Sequence, residues 1–260
     1  MIGLGSYAFL WQQSDRVDEP LSLIEVFAAT RALGVDLFQI CDYAPLETMT
    51  SRELADAAAA ARDLGITVEL GTRGVEPLRL ARFLGLAAIF GARLVRSMLP
   101  AGDLREAERS LREALPAYEK AGVDLALETY EQVATADQIG LIETIGSERL
   151  GICLDPANVV ARLENPRQTV EQTAPYVRNV HAKDFGFTRR LGWVGFTYSG
   201  APMGGGLHDY DHLLTTVRPR ERGINEIVEH WLPWQGDAET TVRAERDWTR
   251  TAVEFLRSAQ

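Results

Sequence analysis

The sequence lacks any long hydrophobic run, because no stretch approaches the roughly 18 uninterrupted apolar residues of a membrane-spanning helix. Its first residues, MIGLGSYAFLWQQSD, also lack the positive segment and the long apolar stretch of a signal peptide. Cysteine is scarce, and Cys41 and Cys153 each lie within an apolar run, which favours buried small side chains over a disulfide. These absences predict a cytoplasmic protein that is neither secreted nor bound to a membrane.

The chain also has fewer positively than negatively charged residues. The chain has 27 Lys and Arg residues against 37 Asp and Glu, which gives a formal net charge of −10, and it has no concentrated basic stripe. Because such a surface repels polyanions, we expect no nucleic-acid partner. The hydrophobic fraction of 46% provides ample apolar material for a large core, so extensive disorder is excluded.

The chain does have a regular alternation of short apolar runs with longer amphipathic segments, which is typical of βα units around a parallel sheet. Several joints between these segments carry a glycine where a helix is expected to end, at Gly34, Gly65, Gly91 and Gly122. Eight apolar runs predict strands, at residues 2–6, 36–41, 66–71, 93–98, 123–128, 150–155, 177–183 and 224–230.

Eight such units predict the α/β class and a (β/α)₈ TIM barrel, for which 260 residues is a typical length. No linker interrupts the pattern, so we expect a single domain over residues 1–260. An open doubly wound sheet shows the same alternation. However, the turn Gly3-Leu-Gly5-Ser-Tyr-Ala after the first run lacks the third glycine of a dinucleotide fingerprint.

One long segment breaks the alternation. Residues 185–208 (FGFTRRLGWVGFTYSGAPMGGGLH) show no helical periodicity and are rich in glycine and aromatic residues. We expect a long loop after the seventh strand, over the barrel mouth where active sites are built. Two roles fit the aromatic side chains of this loop and of the segment after the eighth strand, namely a wall over the pocket or a contact in a homo-oligomer. These residues are Trp193, Phe196, Tyr198, Trp231 and Trp234.

Four ionisable residues, Glu128, Asp155, His181 and Glu229, lie at the ends of the last four predicted strands. In a barrel such positions converge on the axis at the C-terminal face. Three carboxylates in one cleft raise one another's pKa unless a counter-charge is present, and a divalent cation supplies it. A set of carboxylates with one imidazole favours Mn²⁺, Mg²⁺ or Co²⁺ over a thiolate-type zinc site, with Mn²⁺ preferred and Zn²⁺ left open.

The segments Leu-Asp155-Pro-Ala-Asn158 and His181-Ala-Lys183-Asp184, with Glu128 and Glu229 at strand ends, resemble the xylose isomerase-like barrel superfamily. The resemblance is to its sugar phosphate isomerase/epimerase branch, which includes ketose 3-epimerases. Gly204 to Gly206 followed by Asp209 resembles the Gly-x-Gly segment that precedes the seventh helix of that family.

The resemblance implies a metal-dependent isomerase or epimerase of carbohydrate metabolism, with a small keto sugar or polyol as substrate. It implies proton transfer through an enediolate, in which Glu128 and Glu229 are both metal ligands and acid/base groups. The chain departs from the branch at Asn158, where a histidine is frequent, and an asparagine cannot titrate. Lys183 lies two residues after His181 on the same side of the strand, where it is a candidate for stabilising a developing oxyanion.

Substrate contacts are predicted at the other strand ends, where an aromatic ring can stack on a sugar and an arginine can bind hydroxyls or a carboxylate. Glu69 matches a glutamate that the branch often carries on strand 2 or 3. The candidates are Tyr7, Trp11, Asp42, Glu69, Arg73, Arg96, Asn158 and His208.

Other functions remain open at this point. A metal-dependent lyase or dehydratase acting on a keto sugar or an inosose-like substrate needs the same groups for its first proton abstraction. A non-catalytic sugar-binding subunit is a second alternative, although such a protein would be expected to lose a metal ligand. A phosphodiester hydrolase of the apurinic endonuclease type is disfavoured, because its metal cluster uses many histidines and this chain has four.

Overall fold

The computed structural model describes residues 1–259. Eight parallel strands close into a barrel in the order β1-β10-β7-β6-β5-β4-β3-β2, and β8 pairs with β9 outside it. The strands are β1 (Ile2–Gly5), β2 (Leu37–Cys41), β3 (Thr67–Gly71), β4 (Leu94–Ser97), β5 (Asp124–Glu128), β6 (Leu150–Leu154), β7 (Val177–Ala182), β8 (Asp184–Arg189), β9 (Phe196–Ala201) and β10 (Asn225–Val228). Each of the eight predicted runs contains one barrel strand, which confirms the (β/α)₈ prediction.

Helices follow the barrel strands and cover the outside of the barrel. They are α1 (Leu23–Ala32), α2 (Ser51–Asp63), α3 (Pro77–Phe90), α4 (Leu104–Ala121), α5 (Thr135–Ile145), α6 (Pro166–Thr173), α7 (Tyr210–Val217) and α8 (Ala238–Ser258). The main hydrophobic core lies between this layer and the strands. Helix α4 buries Leu111, Leu115 and Tyr118 there, and the Tyr118 hydroxyl donates to the Leu80 carbonyl oxygen at 2.9 Å.

The helices begin and end where local chemistry favours it. Before α2, the Thr50 hydroxyl accepts the Glu53 N–H while the Glu53 carboxylate accepts the Thr50 N–H, so two free donors of the first turn are satisfied. Helices α3 and α4 end at Gly91 and Gly122, with φ of +70° and +67°. This left-handed conformation is costly for residues with a Cβ atom. Gly91 and Gly122 therefore end their helices, as the sequence predicted.

The prediction of a structureless loop over residues 185–208 is wrong for about half of the segment. β8 and β9 form an antiparallel hairpin, in which Asp184 pairs with Ala201 and Arg189 pairs with Phe196. Gly192 and Gly195 at its tip have φ of +75° and +81°. Most of the hairpin is exposed, so it lacks the apolar face that makes a strand recognisable in a sequence.

The base of the hairpin is held by the Asp184 carboxylate. It accepts backbone N–H groups from Phe185 at 2.8 Å, Gly204 and Gly206 at 2.9 Å, and His208 at 3.0 Å. A Cβ atom on Gly206 would lie 2.2 Å from Asp184 Oδ1, so only glycine fits there. The glycine-rich segment thus wraps around one buried carboxylate that lies directly after Lys183.

No helix within residues 1–259 combines the length and the apolarity that crossing a bilayer requires.

We expect Asp184→Asn to lower the free energy of unfolding by about 2–4 kcal/mol. An amide offers one acceptor oxygen to four N–H groups and turns its own NH₂ group toward two of them. Urea denaturation measures the change. Asp63→Asn, at the exposed end of α2, is the matched control and should stay within about 0.5 kcal/mol of the parent protein. A loss at Asp184 no larger than the control's would contradict this account.

Candidate functional site

Four ionisable side chains from neighbouring barrel strands meet at the C-terminal end of the barrel. Glu128 ends β5, Asp155 follows β6, His181 lies in β7 and Glu229 follows β10. The oxygens Glu128 Oε1, Asp155 Oδ2 and Glu229 Oε2 lie 3.6, 3.7 and 3.4 Å from His181 Nδ1. All four residues are buried. The structure thus brings together the four predicted metal ligands, and their role as ligands stays a prediction.

The distances from His181 Nδ1 suit a divalent cation, while Asp155 belongs to neither of the two groups within residues 1–259 whose ligand atoms all lie within 4.8 Å of one another. This nitrogen is buried and has no hydrogen-bond partner among residues 1–259, and the same is true of Glu229 Oε1. Two atoms that bind one ion at about 2.1 Å lie roughly 3.0–3.4 Å apart, close to the separations from Nδ1. A cation between these oxygens and the imidazole would supply the partner that the nitrogen lacks.

Two buried cations compensate part of the negative charge. Lys183 Nζ lies 2.7 Å from Asp155 Oδ2 and 3.1 Å from Glu229 Oε2, and the Arg96 guanidinium contacts Glu128 Oε2. Burial raises the pKa of Asp155, but Lys183 and His181 together hold that pKa below its usual value. Burial also raises the pKa of Glu128, and Arg96 and His181 together lower it below its usual value. Both carboxyl groups are therefore ionised at neutral pH.

The two cysteines border the imidazole. In the groups Cys41–His181–Glu229 and Glu128–Cys153–His181, all candidate ligand atoms lie within 4.8 Å of one another. Burial raises the pKa of the Cys41 thiol well above its usual value and that of Cys153 to about 11, so both are neutral thiols near pH 7. Both are free and buried, as predicted. No sequence motif indicated that they would lie beside the site.

A second polar cluster lies at the ends of β1, β2 and β3. The Tyr7 hydroxyl donates to Asp42 Oδ2 at 3.0 Å, and Arg73 donates to both Asp42 oxygens at 2.9 Å. Arg96 links this cluster to the first one, because its guanidinium lies 3.7 Å from Asp42 and contacts Glu128. Tyr7, Asp42 and Arg73 line a cavity of about 960 Å³, beside the four predicted ligands rather than over them.

Two further predicted substrate contacts, Asn158 and Trp11, also have protein partners. Asn158 Nδ2 donates to Glu128 Oε1 at 2.6 Å, so this amide holds the glutamate in place. Trp11 Nε1 donates to the Leu232 carbonyl oxygen at 2.8 Å, and its ring packs edge-on against Trp234 with centroids 5.2 Å apart. Asn158 acts on the site through Glu128, while Trp11 belongs to the segment after β1.

The aromatic residues of the hairpin fall into two groups. Tyr198 packs against Trp231 with ring centroids 5.5 Å apart, and Lys183 Nζ lies 4.5 Å from the Trp231 ring centroid. These two rings form a wall beside the lysine. Trp193 and Phe196 are 77% and 58% exposed, so they belong to no wall. The homo-oligomer that such exposed rings suggested stays a prediction.

Glu69 and His208 do not lie where substrate binding was predicted, and both predictions are corrected. Glu69 is buried deeper in the barrel, where it binds Asn225, the first residue of β10. Alternation along a strand gives the direction of a side chain but not its depth in a barrel. His208 Nδ1 lies 2.8 Å from the Lys183 carbonyl oxygen, and its ring lines a surface cleft with Phe187. The base of the hairpin places the His208 side chain in this surface cleft.

Comparison with known proteins identifies the fold family. The model of the family described as "Xylose isomerase-like TIM barrel" matches residues 27–259. The chain belongs to this family. A curated relative, the 3-oxo-isoapionate decarboxylase of Pectobacterium atrosepticum, is 49% identical over 259 residues, covering 98% of this chain and 94% of the relative. The chain is thus a xylose isomerase-like, sugar-processing enzyme, which confirms the predicted resemblance and the enzymatic prediction.

Solved structures of the family share the whole architecture. D-Psicose 3-epimerase from Clostridium cellulolyticum H10, solved with D-tagatose, has a TM-score of 0.75 at 13% identity, covering 99% of this chain and 98% of that one. The IolI protein, solved with a bound zinc atom, has a TM-score of 0.71 at 18% identity, covering 98% of both chains. At these identities the likeness shows the fold alone.

We expect Mn²⁺ to stabilise the metal-free protein by about 2.7 kcal/mol at a free concentration 100 times its Kd, because the ion binds only the folded cluster. Chemical denaturation with and without EDTA measures this gain. The Glu229→Gln variant should lose most of this stabilisation by Mn²⁺, since one predicted ligand loses its negative charge. Glu239→Gln, at a side chain 90% exposed on α8, should keep it. Equal gains in both variants would place the metal elsewhere.

Proposed function

We propose that this chain is a metal-dependent lyase that removes CO₂ from a 3-oxo sugar acid. The curated relative is a 3-oxo-isoapionate decarboxylase, a name that describes loss of CO₂ from a sugar acid with a ketone at the β-carbon. Glu128, Asp155, His181 and Glu229 would hold the metal ion. Mn²⁺ is the preferred ion, and Mg²⁺, Co²⁺ and Zn²⁺ suit the same donors.

The observation that carries this proposal is the different state of the two glutamates. Glu128 accepts a hydrogen bond from Asn158 on Oε1 and forms an ion pair with Arg96 through Oε2, and the pKa of this carboxyl is lowered. The contact at Oε2 is ionic only, because this oxygen has no hydrogen-bond partner among residues 1–259. Glu229 keeps one buried oxygen, Oε1, without a hydrogen-bond partner among residues 1–259. Epimerisation by two carboxylates needs a proton carrier on each face of the substrate. Decarboxylation needs one, and Glu229, whose ion pair with Lys183 is at Oε2, has its Oε1 atom for this role.

The charge of the site supports an anionic substrate. The carboxylates at the mouth are Asp42, Glu128, Asp155 and Glu229, and the side-chain cations that contact them are Arg73, Arg96 and Lys183. Four negative and three positive side chains leave a net charge of −1, and a divalent ion would change it to +1. A substrate carboxylate neutralises the excess, whereas a neutral ketose leaves it uncompensated in a partly buried cleft.

The chemistry follows from the position of the ketone. Loss of CO₂ breaks the bond between C1 and C2, and its electron pair moves into a C2–C3 double bond, leaving negative charge on the ketone oxygen. A divalent ion, when bound, supplies Lewis-acid stabilisation of charge on that oxygen. Lys183 stays cationic, because the nearby Asp155 and Glu229 outweigh the effect of burial and raise its pKa. Its ammonium group donates to the same oxygen.

The reaction ends with protonation at C2. Glu229 Oε1 relays one proton from solvent to this carbon, which restores the ketone of the shortened sugar. Asn158 and Arg96 keep Glu128 ionised throughout, so that it remains a ligand rather than a proton carrier. This role differs from the one that the family resemblance implied for Glu128.

We expect the Mn²⁺-loaded protein to release CO₂ from a 3-oxo sugar acid in D₂O and to place one deuterium on the carbon that carried the carboxylate. Glu229→Gln should lower kcat by about 10²–10⁴-fold, because the proton relay is lost. Glu239→Gln is the control. Headspace CO₂ and product NMR measure the outcome.

The same assay on a panel of neutral ketoses tests the competing reactions. Epimer formation or deuterium exchange in a ketose, with no CO₂ from any 3-oxo acid, would overturn the lyase proposal in favour of an epimerase. Loss of water from an inosose-like substrate would favour a dehydratase. Absence of any turnover in a protein that holds its metal would favour the sugar-binding alternative.

A further inference from the structure

The barrel interior holds a buried polar layer that the proposed reaction does not use. Gln39, Glu69 and Asn179 are all buried, on β2, β3 and β7. The interior of such barrels is typically filled by Val, Ile and Leu. A buried polar group is destabilising when its hydrogen bonds are not made. A polar layer at this position therefore calls for a reason beyond packing.

Glu69 fixes the orientation of the amides around it. Its Oε2 atom accepts from Gln39 Nε2 and Asn179 Nδ2, both at 3.0 Å, and its Oε1 atom accepts from Asn225 Nδ2 at 2.6 Å. Burial raises the pKa of this carboxyl group, and the three amide donors oppose burial by stabilising the ionised form. A carboxylate only accepts, so each of these amides must turn its nitrogen toward Glu69.

The orientation of Gln39 is fixed twice. Its Nε2 atom also donates to Asn179 Oδ1 at 3.1 Å, so both amide hydrogens are used. Rotating the amide by 180° would bring its oxygen against Glu69 Oε2 and Asn179 Oδ1, two acceptors, and would lose both hydrogen bonds. Gln39 Oε1 must therefore face the other way, toward the predicted metal site.

The ring of His181 receives this oxygen. Gln39 Oε1 lies 2.9 Å from His181 Nε2 and also accepts the Cys41 thiol at 2.9 Å. Because an amide oxygen only accepts, His181 Nε2 must carry a hydrogen. A neutral imidazole has one N–H group, so the lone pair is on Nδ1. Nδ1 is the nitrogen surrounded by the three carboxylate oxygens.

We propose that Gln39 is a positioning residue that holds His181 in the tautomer with its Nδ1 lone pair directed at the metal, and that Glu69 holds Gln39. The inference rests on the metal site of the proposed function, but on no step of the reaction. Without Gln39, an Nδ1–H group would satisfy the carboxylates directly and compete with the ion. Partners that orient a histidine ligand in this way typically change metal affinity by about 10–100-fold.

The test uses Gln39→Met, which keeps the length of the side chain and removes its acceptor. Titration calorimetry of the metal-free full-length protein with Zn²⁺ and with Mn²⁺ should show a Kd raised by about 10–100-fold. Gln12→Met is the matched control, because Gln12 is also buried and donates to a glutamate, Glu245, that is not part of the site. Its Kd should match that of the parent protein.

A second measurement reports the tautomer of His181 directly, independently of the metal affinity. ¹⁵N-edited NMR of the Zn²⁺-loaded parent protein should show His181 protonated at Nε2, and this signal should shift or disappear in Gln39→Met. If Gln39→Met fails to fold, Glu69→Gln gives the same test with the shape preserved, and we expect its Kd to rise by about 3–10-fold.

The outcomes are distinct. Unchanged Kd and an unchanged Nε2–H signal in Gln39→Met, or an unchanged Kd in Glu69→Gln where that variant is used, would overturn this inference and leave the metal site intact. A parent protein that binds neither metal would overturn the metal site itself and the proposed function with it.

Discussion

Repulsion between carboxylates that share one buried pocket is the constraint on which the site depends. Each carboxylate has its own compensation. Glu128 contacts the guanidinium of Arg96, and Asp155 receives Lys183 on one oxygen and two backbone N–H groups on the other. Glu229 shares Lys183 but keeps an unpartnered oxygen within the described residues 1–259. The contacts within residues 1–259 therefore leave part of the negative charge uncompensated, and the proposed divalent cation would compensate it.

This arrangement divides the barrel into regions with different tasks. The shell between strands and helices is apolar, with Leu111, Leu115 and Tyr118 as examples, and it contributes most of the hydrophobic stabilisation. The interior also contains a hydrogen-bonded polar layer, with Glu69 and Gln39 below His181. Because the helices supply the stability, the interior is free to orient ligands.

The sequence predicted the fold and the four convergent residues because both depend on local patterns. An apolar run followed at once by Glu128 or Asp155 is visible in one segment of the chain. The hairpin was missed because its exposed strands have no apolar face. The contact between Gln39 and His181 was missed because the two residues are 142 positions apart, and no spacing rule connects strands that are not neighbours in the barrel. Strand alternation likewise does not give the depth of a side chain along the barrel axis, which is why the position of Glu69 was predicted wrongly.

The anchoring of Asp184 has a consequence for how such enzymes diverge. The carboxylate fixes the two ends of the β8–β9 excursion to each other, directly beside Lys183. Between these ends the hairpin is largely solvated and makes its own hydrogen bonds. Lengthening, shortening or replacing the tip therefore leaves the geometry of the catalytic end of the barrel undisturbed. The length and sequence of the hairpin tip can therefore change, in evolution or in an engineered variant, independently of the residues at the barrel end.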